Sequence, residues 1–173
     1  MKTLLLITLF TLCYTKDQNI YQEYNAIFKE IDFNVPDEII NGIGCIQGDC
    51  DNGNGRYVYM VPMDEGEFKE GQLNGEGIRI WINGGISKGT WENGKMIFGA
   101  HLYGKGEFLG DIYFGEFDNQ EKNGLGTYKN YKGDIYHGEW VDNLPNGKGK
   151  EILVDGTVNE GNFINGELVR EVY

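Results

Sequence analysis

One eight-residue stretch occurs twice in this chain, at an offset of 23 residues. Residues 110–117 read GDIYFGEF and residues 133–140 read GDIYHGEW, so that six of the eight positions are identical. A Gly-x-aromatic pattern recurs with spacings of 23, 26, 23 and 23 residues, beginning at Gly66, Gly89, Gly115, Gly138 and Gly161. Such a period indicates a repeat array, in which each unit buries its apolar face against its neighbours.

Further glycine columns keep the same period. A Gly-x-Gly pair follows the first column by nine residues in three units, which places the pairs at residues 75–77, 124–126 and 147–149. In the unit that begins at Gly89, the pair is displaced to Gly104 and Gly106. The displacement predicts an altered loop over residues 94–110. Loops that depart from a repeat often carry binding residues, so His101 and Tyr103 are candidates for an interaction site.

Large and small residues alternate within each unit, which is the pattern of a β-strand with one apolar face. The alternation places Glu116, Asp118 and Glu139 on the opposite face, where we expect them to be solvated. The Asn-Gly pairs at residues 123–124 and 146–147 predict hairpin turns. The aromatic residues that share the apolar face are Tyr113, Phe117, Tyr136 and Trp140.

Each unit of 23 residues therefore predicts one β-hairpin. The expected fold is all-β, an elongated and twisted antiparallel meander of about five stacked hairpins or about ten strands. Glycine at an inward strand position leaves space for a neighbouring aromatic ring to lie on the backbone. The aromatic stripe is either the core of this sheet or, in part, a groove for a ligand or peptide.

The repeat columns resemble the MORN repeat (membrane occupation and recognition nexus). The family pattern is Tyr-x-Gly-x-[Phe/Trp], a short gap and Gly-x-Gly-x-[Tyr/Phe], and the sequences GDIYFGEFDNQEKNGLGTYKNYK and GDIYHGEWVDNLPNGKGKEILVD are similar to it. The resemblance covers about residues 45–170. It implies a hairpin meander with a scaffold or interaction role. Such repeats also accompany lipid-kinase and methyltransferase domains in other proteins.

The first residues read MKTLLLITLFTLCYT, which is one lysine followed by a short apolar run. This pattern is typical of a secretory signal peptide over residues 1–15, and a buried first strand or helix is the alternative. The stretch that ends at Cys13 also resembles a bacterial lipoprotein signal, in which the cysteine is acylated. We therefore expect a secreted or periplasmic protein, or one that is anchored in a membrane through Cys13.

Residues 16–41 differ in composition from the repeat region, because the first glycine of the chain is Gly42. Apolar residues at helical spacing over residues 18–31 predict one short amphipathic helix that caps the sheet edge. The predicted organisation is thus a signal peptide over residues 1–15, a helical cap over residues 16–41 and a repeat domain over residues 42–173.

Cys45 and Cys50 remain as a pair once Cys13 leaves with the signal, and in an oxidising compartment we expect them to form a disulfide. Two free thiols are the alternative. A metal site is not expected, because two cysteines and the two histidines of the chain do not supply a tetrahedral set at recognisable spacing. No cofactor is expected either.

The formal net charge of −12 makes nucleic acid an improbable partner and disfavours an anionic membrane surface. Nucleophile, zinc-protease and phosphate-loop motifs do not occur. The expected function is that of a non-enzymatic exported protein that binds a protein partner or acts as a scaffold. A membrane-tethered lipoprotein with a structural role is the first alternative, and a small hydrolase built on the repeat is the second.

Overall fold

A computed structural model describes residues 44–58 and 62–169, all of which belong to the unit Asp32–Tyr173. They form one antiparallel sheet of twelve strands in sequential order, so that each strand pairs with the next along the chain. The prediction of an all-β antiparallel meander is confirmed. The predicted signal peptide over residues 1–15, Cys13 and the helix over residues 18–31 lie outside the described residues.

The strands are numbered in chain order. Their bounds are β1 Gly44–Gly48, β2 Asn54–Val58, β3 Met63–Lys69, β4 Gln72–Ile80, β5 Ile86–Glu92, β6 Lys95–Leu102, β7 Ile112–Asp118, β8 Glu121–Lys129, β9 Ile135–Val141, β10 Leu144–Ile152, β11 Val158–Ile164 and β12 Glu167–Leu168.

The hairpin turns do not lie where the Asn-Gly pairs predict them. Strands β7 and β8 are joined by Asn119 and Gln120, with φ of 49° and 71°, and β9 and β10 by Asp142 and Asn143, with φ of 49° and 70°. Asn and Asp adopt this left-handed conformation more readily than other non-glycine residues, so these two-residue turns need no glycine. Asn-Gly at residues 123–124 and 146–147 lies instead within β8 and β10.

Those displaced Asn-Gly pairs occupy β-bulges. Phe117 pairs with Lys122 and Gly115 with Gly126, so that Glu116 faces three residues of β8. A Cβ at Gly124 would lie 2.5 Å from the carboxylate of Glu116, and Glu116 Oε1 accepts a hydrogen bond from the backbone N–H of Leu125 at 3.2 Å. Glu116 therefore supports the bulge and is not simply a solvated side chain on the surface of the sheet.

The predicted loop over residues 94–110 is wrong in extent, because β6 covers residues 95–102 and the loop spans residues 103–111. It is closed by hydrogen bonds from Tyr103 N to Asp111 O and from Gly110 N to Tyr103 O. The five-residue loop at residues 130–134 has the same pair of bonds, from Asn130 and Gly133. The longer loop is thus the same turn with four residues inserted. The hairpin of β5 and β6 is one residue shorter than the others. The four residues gained in the loop and the one lost in the hairpin together lengthen the spacing from 23 to 26 residues.

A row of glycines crosses the sheet and explains the columns seen in the sequence. Each glycine pairs with the glycine of the next strand, from β1 to β11. Gly99, and not Gly104 or Gly106, fills the position in β6. The members of the row are Gly48, Gly55, Gly66, Gly77, Gly89, Gly99, Gly115, Gly126, Gly138, Gly149 and Gly161.

Buried side chains on the face that carries the glycine row, termed here the aromatic face, form two clusters. The first contains Phe68, Leu73, Trp91 and Met96, and the second contains Tyr113, Tyr136, Trp140 and Phe163. The opposite face is not uniformly acidic and solvated as predicted. It also buries Ala100, Phe114, Thr127 and Ile135, because the residues that alternate with the aromatic positions in β6–β9 are themselves apolar or small.

Candidate functional site

Two rows of side chains flank the glycine row on the aromatic face. One row consists of the residues that lie two positions before or two positions after the glycine in each strand. These residues are polar or aromatic, and they pair across successive strands. Its central members, in spatial order, are Asp64, Arg79, Ser87, His101, Tyr113, Tyr128, Tyr136 and Glu151. The cross-strand register, rather than proximity in sequence, brings these residues together.

The other row lies at the hairpin ends. It contains five pairs, each made of the aromatic residue of the Gly-x-aromatic pattern and the residue five positions later. The pairs are Phe68 with Leu73, Trp91 with Met96, Phe117 with Lys122, Trp140 with Pro145, and Phe163 with Leu168. Four of the five partners are apolar, and Lys122 is the exception.

The four aromatic residues predicted from the repeat come together on one face. Tyr113 contacts Phe117 and Trp140 edge-to-face, with ring centroids 4.9 and 5.4 Å apart, and Tyr136 contacts Trp140 at 5.1 Å. Tyr113, Tyr136 and Trp140 are buried and Phe117 is partly buried. Most of their surface is therefore core, and only part of it remains for a ligand.

Hydrogen bonds fix the orientation of these rings in the same way in successive units. Tyr113 Oη donates to the carbonyl of Glu116 at 2.9 Å, and Tyr136 Oη donates to that of Glu139 at 3.1 Å. Trp140 Nε1 donates to the carbonyl of Gly126 at 3.2 Å. A polar atom that is buried with an aromatic ring needs such a partner, so the bonds hold the rings rigidly on the sheet.

His101 and Tyr103 also lie on the aromatic face, next to the cluster. Their ring centroids are 4.5 Å apart, and Tyr103 contacts Phe108 of the loop at 5.8 Å and Tyr128 at 6.4 Å. All six aromatic and histidine residues predicted from the sequence are thus neighbours. His101 belongs to strand β6, however, and not to the loop.

A groove of about 900 Å³ runs along this face. It begins near Trp81 and Trp91, passes over Lys122 and ends near Pro145 and Phe163. Its walls are mainly aromatic, and the exposed side chains of Ile82, Phe108 and Leu144 stand at its rim. Concave apolar surface with a few polar groups is the usual form of a binding site.

Lys122 is the residue that the sequence interpretation missed. Its ammonium lies 4.4 Å from the ring centroid of Trp140 and 4.5 Å from that of Tyr128, with Tyr113 and Tyr103 at 5.8 and 5.9 Å. Burial lowers the pKa of Lys122 to about 8, although the carboxylate of Asp111 acts in the opposite direction. Superposing the units would have revealed it, because the equivalent positions read Leu, Met, Pro and Leu.

A serine and a histidine meet in the groove. Ser87 Oγ and His101 Nδ1 are joined by a hydrogen bond of 2.8 Å, and Trp81 Nε1 donates to the same oxygen at 2.8 Å. Burial, and then the charge of Lys122, lower the pKa of His101 to about 4. A neutral imidazole of such low basicity is a weak general base at neutral pH. The pair forms a hydrogen-bonded polar element of the groove wall.

Arg79 shows how the same face accommodates a compensated cation. Its guanidinium forms a bidentate ion pair with Asp64, with both N–O distances 2.7 Å, and lies 4.7 Å from the ring centroid of Trp91. Asp64 is fully buried. A fork-shaped guanidinium suits such a pair, in which the two charges compensate each other.

Cys45 and Cys50 lie near the start of the sheet, and their sulfur atoms are 2.08 Å apart. Among the described residues, no group of three His, Cys, Asp or Glu side chains converges on a point that could hold a metal ion. Within residues 44–58 and 62–169, no helix is long and apolar enough to cross a membrane.

The comparisons with known proteins agree with the cross-strand pattern. The model of the MORN repeat matches residues 65–86, 113–135 and 136–158. No curated protein matches the chain. The second and third matches cover most of strands β7 to β10, where the glycine row, the tyrosine hydrogen bonds and the aromatic pairs repeat most regularly. The chain therefore contains MORN repeats at these three positions.

Proposed function

We propose that this chain is a non-enzymatic interaction module that binds an extended segment of a partner protein in the groove of its aromatic face. The observation that carries the proposal is the groove itself, because aromatic side chains from several successive hairpins line one continuous concavity. Rings that are held by hydrogen bonds lose little conformational entropy on binding, which favours association.

The shape of the groove supports a peptide segment over a small molecule. It extends from β5 to β11, and strands of a sheet lie about 4.8 Å apart, so a ligand that fills it spans several strands. Apolar side chains of a partner would insert between the rings, while Ser87, His101 and Lys122 offer polar contacts. Aromatic residues of this kind dominate the energetics of protein interfaces.

Photo-crosslinking in the native host tests the proposal. A crosslinking phenylalanine analogue at Phe108, at the groove rim, is expected to give a discrete adduct with one partner. The matched position is Val158, which is exposed on the opposite face and is expected to give none. The synthetic peptide that matches the crosslinked segment should then bind the purified protein saturably. Equal adducts from both positions, or a peptide that does not bind, would overturn the proposal.

We further propose that the protein is exported and that Cys45 and Cys50 form a disulfide in its mature form. The support is the apolar stretch near Met1 and the placement of Cys45 and Cys50 next to each other at the start of the sheet. Intact mass of protein from the native host tests both. A soluble species that begins at Lys16 and lacks two hydrogen atoms is expected. An acylated species that begins at Cys13 would favour the membrane-tethered alternative, and an uncleaved species would contradict export.

A further inference from the structure

Lys122 stands out when the hairpins are compared with one another. The residues that pair with the hairpin aromatic are Leu73, Met96, Pro145 and Leu168 in the other units. An apolar side chain therefore satisfies the packing at this position four times. The lysine adds a charge that the repeat fold does not require, and burying a charge is costly unless it is compensated.

The ammonium of Lys122 forms no ion pair among the described residues. The ion pairs found there join Arg56 with Glu65, Arg79 with Asp64, and Lys150 with Glu160. The carboxylate of Asp111 also acts on Lys122 through space, but it forms no ion pair with the ammonium, and its two oxygens accept hydrogen bonds from the hydroxyl of Tyr128 and from the backbone N–H of Tyr131. Within residues 44–58 and 62–169, the ammonium lies instead against the ring faces of Trp140, Tyr128, Tyr113 and Tyr103.

We propose that Lys122 determines the specificity of the groove by binding the carboxylate of an Asp or Glu side chain in the bound segment of the partner. The inference rests on the proposed function. An ammonium in aromatic surroundings is weakly solvated, so an incoming carboxylate interacts with it more strongly than it would in water. The contrast with Arg79, which has Asp64 as its own counter-ion, indicates that the missing charge is supplied by the ligand.

The position of Lys122 indicates where the acidic residue lies in that segment. Lys122 belongs to the third of the five aromatic pairs, and the groove continues to Trp91 and Met96 on one side and to Pro145 and Phe163 on the other. A segment that crosses the groove therefore extends past Lys122 in both directions. The carboxylate is then a side chain with apolar neighbours on either side, rather than the end of a chain.

The protonation state of Lys122 is consistent with this role. Burial lowers its pKa to about 8, so the amine is charged at pH 7. The titratable groups around it are Asp111, His101, Tyr103, Tyr113 and Tyr128. His101 is neutral at pH 7, because burial and Lys122 itself depress its pKa, and the three tyrosines are neutral as well, because burial raises their pKa values. Lys122 is thus the cation that a ligand meets in the groove, which Glu151 also lines and beside which Asp111 lies buried.

A displayed library of random twelve-residue peptides tests the inference, with the purified wild-type protein and Lys122→Met as targets. Methionine is the residue that the chain itself uses at the equivalent position in β6, so the variant keeps the packing and removes the charge. Lys148→Met is the matched control, because it makes the same charge change at an exposed site on the opposite face. Lys122→Arg keeps a cation at the site and is expected to retain binding.

Enrichment of peptides with Asp or Glu between apolar residues is expected on the wild type and on Lys148→Met, but not on Lys122→Met. Replacing that acidic residue by its amide in a selected peptide should weaken binding to the wild type about tenfold or more, and leave binding to Lys122→Met unchanged. Peptides that bind the groove with no acidic preference would overturn this inference and leave the proposed function standing. If no target enriches any peptide, the proposed function fails with it.

Discussion

The phenol ring of Tyr113 lies directly against the backbone of Gly126 on the neighbouring strand. A Cβ at Gly126 would overlap the hydroxyl oxygen and two ring carbons of Tyr113. The same arrangement joins Tyr136 and Gly149 one unit later. At these two positions the glycine is the surface on which a ring rests, and a side chain there would compete with that ring for the same volume.

Gly126→Ala is expected to lower the free energy of unfolding by about 1–3 kcal/mol, because the ring of Tyr113 is buried and has little room to move. Urea unfolding followed by tryptophan fluorescence measures the change. Gly161→Ala is the control within the same row. There the nearest atom is the terminal Cδ1 of Leu168, at 3.0 Å, and a flexible side chain yields easily. A loss as large at Gly161 as at Gly126 would contradict this account.

Asp64→Asn is expected to destabilise the protein by about 3 kcal/mol, because it leaves the guanidinium of Arg79 buried without its counter-charge. Thermal and urea unfolding both report the effect. Glu65→Gln removes the carboxylate of a partly exposed pair with Arg56, where solvent screens the charges. Its expected cost is below about 1 kcal/mol, and equal costs for the two variants would show that burial does not set the energetics of these pairs.

Lys122→Met is expected to stabilise the free protein at pH 7 by on the order of 1–2 kcal/mol, since the buried ammonium loses solvation that its aromatic contacts replace only in part. The pKa of Lys122 lies near 8 in the folded protein and near the ordinary lysine value of 10.5 when unfolded. The unfolded chain thus binds more protons between pH 8 and 10.5, so the stability of the wild type rises with pH across that window.

The stability of Lys122→Met is not expected to rise between pH 8 and 10.5, because the variant lacks the titrating amine. Paired urea titrations at pH 7, 8 and 9.5 compare the two proteins, and tyrosine ionisation at higher pH affects both alike. A variant that is less stable than the wild type at pH 7 would mean that Lys122 contributes to packing rather than to binding.

His101 gives a second pH dependence, on the acid side. Its pKa is lowered from 6.5 to about 4 in the folded protein, so the neutral imidazole contributes stability that is present above pH 6.5 and is lost as the pH falls towards 4. His101→Gln keeps a partner for Ser87 and should lose less stability over that range. Histidine titration by NMR should place the midpoint near 4, and a midpoint near 6.5 would refute the burial of this ring.

Features of the fold that leave a repeated pattern in the sequence were predicted correctly, whereas the positions of turns and loops were not. Period-two alternation and the 23-residue columns predicted antiparallel hairpins and the shared face of Tyr113, Phe117, Tyr136 and Trp140. The positions of the turns were predicted wrongly, because Asn-Gly is a strong turn signal. Nothing in the sequence shows that Asn119 and Gln120 adopt left-handed conformations while Gly124 supports a bulge. The loop was misplaced because Gly99 has no neighbouring Gly-x-Gly to mark it.

The sequence by itself determined the repeat, because alternation and glycine placement are local requirements of stacked hairpins that each unit states again. Only the tertiary structure decided which side chains share a site. His101 and Tyr113 are twelve residues apart in the sequence but face each other across paired strands. Asp111 looks like any other acidic residue in the sequence, and only its hydrogen bonds in the fold distinguish it. The tertiary structure also distinguishes Lys122, because the register of β7 and β8 places its charge among rings from four separate segments. The cost of burying a charge depends on such surroundings, which are assembled only by folding.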